Sequence, residues 1–251
     1  MSMETSRYRK DAEAAYAATA SAYDLFALPN RSTIETALEA ALPHLHREHG
    51  PILDIGAGSG ANSAFLLERR DTGDIVALEP SRAMRSLLLG RIAAHPEWFS
   101  RITVRPESFF DADLPRTIGG ALALGMIGHF DAGERAAVLA ELARRLPSGC
   151  AVLLDAPDPA PPHRVEPEEF TVATVGAITY RGIAEAWPEG GEAMRWRVTY
   201  LSLEGERVLT EDTVEHRYFH PTREVLRAEA AGAGFTARTL PDSSCLLCVR
   251  R

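Results

Sequence analysis

The stretch Ile52-Leu53-Asp54-Ile55-Gly56-Ala57-Gly58-Ser59-Gly60 constrains the fold more than any other part of the chain. A short run that is apolar except for one aspartate reads as a strand buried on both faces, which is the signature of a parallel sheet. Glycines at alternate positions behind it let the backbone turn sharply from strand to helix. They also bring bare main chain, with N–H groups exposed, against a ligand.

The flanking sequence repeats this strand-to-helix grammar. A helix is expected over roughly 61–70, a strand over Ile75–Glu79, and a helix from Ser81 carrying Met84, Leu87 and Leu88. Strands at Ile102–Val104, Ala121–Leu124 and Ala151–Leu154 follow, with a helix from Asp131 to Leu146 before the last of them. Strands alternating with helices of this length imply βαβ units. Ahead of them, residues 10–27 are alanine-rich with Tyr16 and Tyr23 on one helical face, and Ser32 with Glu35 starts a second helix. Its stripe of Ile34, Leu38, Leu42 and Leu45 continues to Gly50.

After Asp155 the pattern changes. The proline-rich stretch 155–162 reads as an extended linker. Strand-like runs at 170–180, 194–203 and 207–218 then predict an antiparallel meander. In its middle run Met194, Trp196, Val198 and Tyr200 share one face while Arg195, Arg197 and Thr199 share the other, with Glu211 and Glu215 as cross-strand partners for the arginines. A helix over 222–232 and strands Phe235–Leu240 and Cys245–Val249 return to the α/β pattern.

Charge narrows the partners. The net charge is −8 and no basic run stands out, which argues against nucleic acid and against an anionic membrane surface. Charges at Glu4, Arg7, Arg9, Lys10, Asp11 and Glu13 exclude a secretory core, and no apolar stretch reaches the ~18 residues of a membrane span. A cytoplasmic protein with a small-molecule substrate is expected. Cys150, Cys245 and Cys248 do not make a disulfide framework, and the pair at 245 and 248, read as strand, points to opposite faces, so no metal site is expected. His44, His46 and His49 read as solvated residues at a helix end.

The glycine loop alone leaves the ligand open. Gly56 to Ala61 also satisfies the dinucleotide fingerprint, and Glu79 at the end of the second strand suits the ribose hydroxyls of either cofactor. A nicotinamide-dependent oxidoreductase and an S-adenosylmethionine-binding protein both fit at this level. With the stretches VALEPSRAMRSLLL (76–89) and ALGMIGHFDAGERAAVLAELARRLPSGCAVLLD (123–155), however, the chain resembles the class I S-adenosylmethionine-dependent methyltransferases. The likeness is to the small-molecule branch related to the ubiquinone and sugar N-methyltransferases, and it covers about 50–155.

That resemblance implies an α/β, Rossmann-like, seven-stranded, mostly parallel sheet with helices on both faces and an antiparallel β-meander insert. It implies an N-terminal helical lid over 1–50, a cofactor-binding core over 51–157 and 219–251, and an insert over 158–218 for substrate or dimer contact. Asp54, Gly56, Ala57 and Gly58 would lie along the methionine end of S-adenosylmethionine, and Gly60 would permit close helix approach. Glu79 would accept the ribose hydroxyls, with Pro80 and Met84 beside the adenine. Glu107 and Ser108 stand where the family carries an adenine-contacting turn, and Gly125 and Met126 would face the sulfonium. Tyr23 would close over the cofactor. An acceptor hydroxyl or ammonium must lose a proton, and His129, just past the fourth strand, has the right type and place for a general base. His220 and Asp155 are further candidates, although Asp155 also reads as a strand-end turn residue. Tyr180, Trp187, Trp196 and Tyr200 would line an acceptor pocket or pair two copies into a homodimer. The transferred methyl would go to oxygen or nitrogen, with carbon as the lesser alternative, of a small molecule such as a secondary metabolite. A fold that retains the cofactor structurally, without transfer, is the remaining alternative.

Overall fold

The computed structural model describes residues 16–251. They divide into two compact units, one holding the described residues through Asn30 with Asp158–His220, the other holding Arg31–Pro157 and Pro221–Arg251. The lid expected over 1–50 is thus divided, with 31–50 grouped with the sheet.

Helix α1 (Tyr23–Ala41) runs through Pro29. The two helices expected on either side of Ser32 are therefore one over this span, and residues 10–15 of the first lie outside the described residues. A proline mid-helix removes a single backbone hydrogen bond and bends the helix without having to end it. The unit boundary falls just beyond it. At its other end α1 stops at Ala41, because Pro43 forces a 3₁₀ turn over Leu42–His44 in place of the helix expected to reach Gly50. Within the sheet unit, Arg31 pairs with Glu35 at 2.7 Å and donates to Asn62 Oδ1 at 2.9 Å and to the Ala61 carbonyl at 3.1 Å.

Strand β1 (Ile52–Ile55) leads to α2 (Ala61–Leu67), β2 (Ile75–Leu78), α3 (Arg82–Ala93), β3 (Ile102–Arg105), β4 (Gly120–Ala123), α4 (Ala132–Arg145) and β5 (Ala151–Asp155). No strand or helix is present from Ala156 to Arg164, as the prolines require. Strands β6 (Val165–Val175), β7 (Ile178–Gly190), β8 (Ala193–Glu204) and β9 (Arg207–Phe219) follow, then α5 (Arg223–Gly232), β10 (Phe235–Thr239) and β11 (Cys245–Arg250).

The seven-stranded sheet has the order β10-β11-β5-β4-β1-β2-β3. All pairs from β5 to β3 are parallel, and β11 runs antiparallel to both neighbours. One face buries Leu53, Ile55, Val152 and Cys248 with Val138 and Leu142 of α4 and Leu226 of α5. The other buries Ile52, Leu153 and Cys245 with Leu38 of α1, Phe65 and Leu66 of α2 and Leu88 of α3. Cys245 and Cys248 thus serve opposite cores as packed thiols, with burial raising them to about 11 and about 12. Because β1 continues to β2 on one side and abuts β4 on the other, the chain direction of travel reverses between them. Ligands of open α/β sheets bind at such a point, outside the carboxyl ends of the strands.

The four-stranded sheet is an antiparallel meander, β6-β7-β8-β9. Four strands stand where three were expected. The run read as 170–180 is split by a hairpin at Gly176, whose φ of 60° makes the turn, and most of β7 went unread because Gly182, Pro188 and Gly190 interrupt its alternation. Met194 and Val198 are buried on one face. On the other, Arg197 pairs with Glu185 at 3.0 Å and Glu215 at 2.8 Å, and Glu189 takes both Arg195 at 2.6 Å and Arg217 at 3.1 Å. Among the described residues no helix is long and apolar enough to cross a membrane, and no group of three or more His, Cys, Asp or Glu is placed to hold a metal ion.

Candidate functional site

The loops after β1, β2, β4 and β5 gather at the carboxyl ends of adjacent strands. Gly56, Gly58 and Gly60 have φ of 67°, 58° and 81°, a left-handed path that side chains resist. Two of these positions also lack room. A Cβ on Gly56 would sit 2.0 Å from Met126 Sδ, and one on Gly60 would sit 2.2 Å from Leu88 Cδ1. Gly60 therefore does admit a neighbouring helix, α3, while Gly56 admits the turn after β4. The loop is pinned by Ala57 N–H to the Leu78 carbonyl at 2.9 Å.

Two buried carboxyls stand below it. Asp54, in β1, is 2% exposed, and its Oδ2 accepts the Ser63 hydroxyl at 2.6 Å. Burial pushes its carboxyl up to about 6, against the opposing effect of that bond. Glu79, at the end of β2, accepts the Gly58 N–H on Oε2 and the Ser81 N–H on Oε1, each at 2.7 Å. Burial raises it too, the two backbone bonds oppose that, and the nearby Asp54 charge adds to it. Ser81 caps α3, its hydroxyl accepting the Met84 N–H at 3.4 Å. Pro80 is exposed beside Glu79, whereas Met84 is 1% exposed inside the core.

Beyond β3 the side chains of Glu107 and Ser108 have local partners. Glu107 pairs with Arg105 at 2.7 Å, which holds its carboxyl below the usual range, and Ser108 donates to Asp111 Oδ2 at 2.5 Å. Beyond β4, Gly125 turns at φ 69° and its N–H donates to Asp155 Oδ1 at 2.8 Å. Burial pushes Asp155 up to about 6, again against its hydrogen bonds. A 3₁₀ turn over Ile127–His129 follows, closed by the His129 N–H to the Met126 carbonyl at 3.0 Å, and His129 is partly buried there.

The structure therefore gathers Asp54, Gly56, Ala57, Gly58, Gly60, Glu79, Gly125, Met126 and His129 around one strand-end cluster. Tyr23 belongs to the other unit, as does His220, whose Nε2 accepts the Trp196 indole N–H at 2.9 Å. In that unit Phe26 stacks on Tyr200 with centroids 5.7 Å apart. Trp187 does not share a face with Trp196 and Tyr200: it pairs in register with Arg195 and meets the Arg197 guanidinium. Sequence reasoning missed the Ser63 bond to Asp54, the contact of Met126 with Gly56, and the service of Asp155 to Gly125. Only the second had a signal, a glycine whose bareness serves a protein side chain as readily as a ligand.

Residues 52–149 match a family model described as a methyltransferase domain. No curated protein matches the chain in sequence comparison. Among solved structures, the sugar N-methyltransferase KedS8 from Streptoalloteichus sp. ATCC 53650 is 22% identical, with 91% of this chain and 92% of that chain covered and a TM-score of 0.67. DesVI from Streptomyces venezuelae is 19% identical over 92% of this chain and 98% of that one, with a TM-score of 0.71. CalS10 from Micromonospora echinaspora, an amino pentose methyltransferase solved with S-adenosylmethionine bound, is 18% identical over 89% and 91%, with a TM-score of 0.67. These likenesses establish the fold, and the model match places a methyltransferase domain on its glycine loop and first four strands.

Proposed function

We propose that this methyltransferase-domain protein transfers the methyl group of S-adenosylmethionine to an amine nitrogen of a small molecule of the amino-sugar or natural-product kind. The observation that carries the reading is the Glu79 carboxylate clamped to Gly58 at the switch point, inside a matched methyltransferase domain. The similarity to KedS8 and CalS10 covers 91% and 89% of this chain, extending well past residues 52–149 into the four-stranded unit, and both neighbours are described as methylating amino sugars or sugar nitrogen. The antiparallel β11 beside β5 departs from the all-parallel dinucleotide fold, which disfavours the nicotinamide reading.

The residues fit the cofactor. Each Glu79 oxygen accepts one backbone N–H, and a carboxylate has about four acceptor positions, so two ribose hydroxyls can still be received. Gly56 and Gly58 place no side chain on the loop, and a Cβ added at Gly125 meets no atom within 4 Å. When bound, S-adenosylmethionine supplies a sulfonium methyl for in-line displacement, a reaction helped chiefly by holding acceptor and donor in near-attack geometry. Glu79 and the glycine loop hold the donor. His129, on the turn after β4, takes the proton that an ammonium acceptor must shed to expose its lone pair. The reading extends to a cytoplasmic homodimer paired through the four-stranded unit, where Phe170, Val172 and Val208 are exposed.

Incubation with methyl-labelled S-adenosylmethionine and matched panels of aminated and hydroxylated sugars tests the acceptor. Label on nitrogen supports the proposal. Label only on oxygen overturns the choice of atom, and no label on any acceptor leaves a binding module in place of an enzyme.

A further inference from the structure

The strand-end cluster contains a half-buried carboxyl at the end of β5 that the proposed transfer does not use. Asp155 ends β5, next to β4 in the sheet, with Leu154 registered against Ala123. The parallel ladder stops there, and the Gly125 N–H, the next donor along, bonds to Asp155 Oδ1 at 2.8 Å. Gly125 has φ of 69° although a Cβ would meet nothing within 4 Å, so its bareness answers to backbone path rather than to packing. That path sends Met126 across to β1, where its sulfur lies over Gly56 in the space a Cβ would take. It also starts the turn that presents His129. The connection runs Asp155 to Gly125 to Met126 to Gly56, from the end of β5 across β4 to the glycine loop.

We propose that Asp155 is a positioning residue: by holding the Gly125 N–H it fixes the turn after β4, and through Met126 it sets the shape of the methionine end of the donor pocket. This rests on the donor reading above, but its first readout does not. Asp155 does not touch the reacting atoms; it acts through the backbone it holds. The groups facing it are the thiol of Cys245, its register partner in β11, with Arg223 near that thiol, and the Ser244 carbonyl, which accepts the Ala156 N–H. A neutral asparagine oxygen can accept the same bond, whereas alanine cannot.

The test follows the Gly125 amide by ¹⁵N–¹H NMR across pH 5 to 8 and the affinity for S-adenosylhomocysteine by calorimetry, in the wild type, Asp155→Asn and Asp155→Ala. In the wild type the Gly125 resonance should titrate with Asp155, whose burial places it near 6. In Asp155→Asn that titration should vanish while S-adenosylhomocysteine binds within about threefold of wild type. In Asp155→Ala the amide should lose hydrogen-exchange protection and affinity should fall about tenfold. A Gly125 amide with no protection from hydrogen exchange in the wild type overturns the proposal, even if Asp155→Ala fails to fold. So does an alanine variant that binds as tightly as wild type. A wild type that shows the titration yet binds no S-adenosylhomocysteine fails the donor reading alone.

Discussion

Glu79 Oε2 accepts the Gly58 N–H at 2.7 Å, so the acid that ends β2 and the middle glycine of the β1 loop are one mechanical unit. Removing the carboxylate takes away the loop's tether and, on the proposed reading, the acceptor for the ribose hydroxyls. Glu79→Ala should weaken S-adenosylhomocysteine binding by ~1.5–3 kcal/mol, about 10- to 100-fold, with Glu79→Gln in between. Calorimetric dissociation constants check this, and an unchanged value for the alanine variant removes Glu79 from the site.

Asp54 predicts a pH-dependent stability difference. Its carboxyl rises from 3.8 to about 6 on folding, so between those values the folded chain holds more protons than the unfolded one. Unfolding free energy therefore falls as pH climbs through that window, and the cost is complete above it. Asparagine carries no such cost and still accepts the Ser63 hydroxyl. Asp54→Asn should match the wild type below pH ~4 and exceed it by on the order of 1–3 kcal/mol above pH ~6. Urea midpoints at several pH values decide it; a gap independent of pH contradicts the account.

His129→Ala should lower kcat by ~10²–10⁴ while leaving donor affinity nearly intact, as expected for a general base that does not hold the cofactor. Transfer to an amine already neutral would cost tenfold or less, with a pH profile set by the acceptor itself. Single-turnover rates with the acceptor found in the labelling panel separate these outcomes. A variant as fast as wild type throughout excludes the role.

Arg135 of α4 is fully buried and pairs with Glu229 of α5, Nη2 to Oε1 at 2.7 Å and Nε to Oε2 at 2.9 Å. Glu229→Ala would strand that guanidinium and should cost ~3–5 kcal/mol of stability. Chemical denaturation of the two proteins measures it, and a loss below about 1 kcal/mol would show that the arginine finds water instead.

The sequence made the sheet unit legible because its signals were local: an apolar run before Gly56, the glycine turn behind it, and periodic stripes in the helices. Of the residues read by pattern, Asp54, Gly56, Ala57, Gly58, Glu79, Gly125 and Met126 lie together because each sits in, or within three residues of, the carboxyl end of β1, β2 or β4. What escaped was long-range or locally contradictory. Nothing in the sequence around Asp155 names Gly125 as its partner, and nothing around Arg135 names Glu229. Strand β7 hid behind Gly182 and Pro188, and α1 continued through a proline that locally argues for a break. The commitments of Glu107 to Arg105 and of Ser108 to Asp111 follow from near neighbours and were legible in principle.

The central claim, that the β1 loop and Glu79 hold S-adenosylmethionine rather than a dinucleotide, is tested most directly by titrating the wild-type protein with S-adenosylhomocysteine and, separately, with NADH. Saturable one-site binding of S-adenosylhomocysteine, weakened about 10- to 100-fold in Glu79→Ala, with no heat from NADH, is the predicted result. Binding of NADH with none of S-adenosylhomocysteine would contradict it.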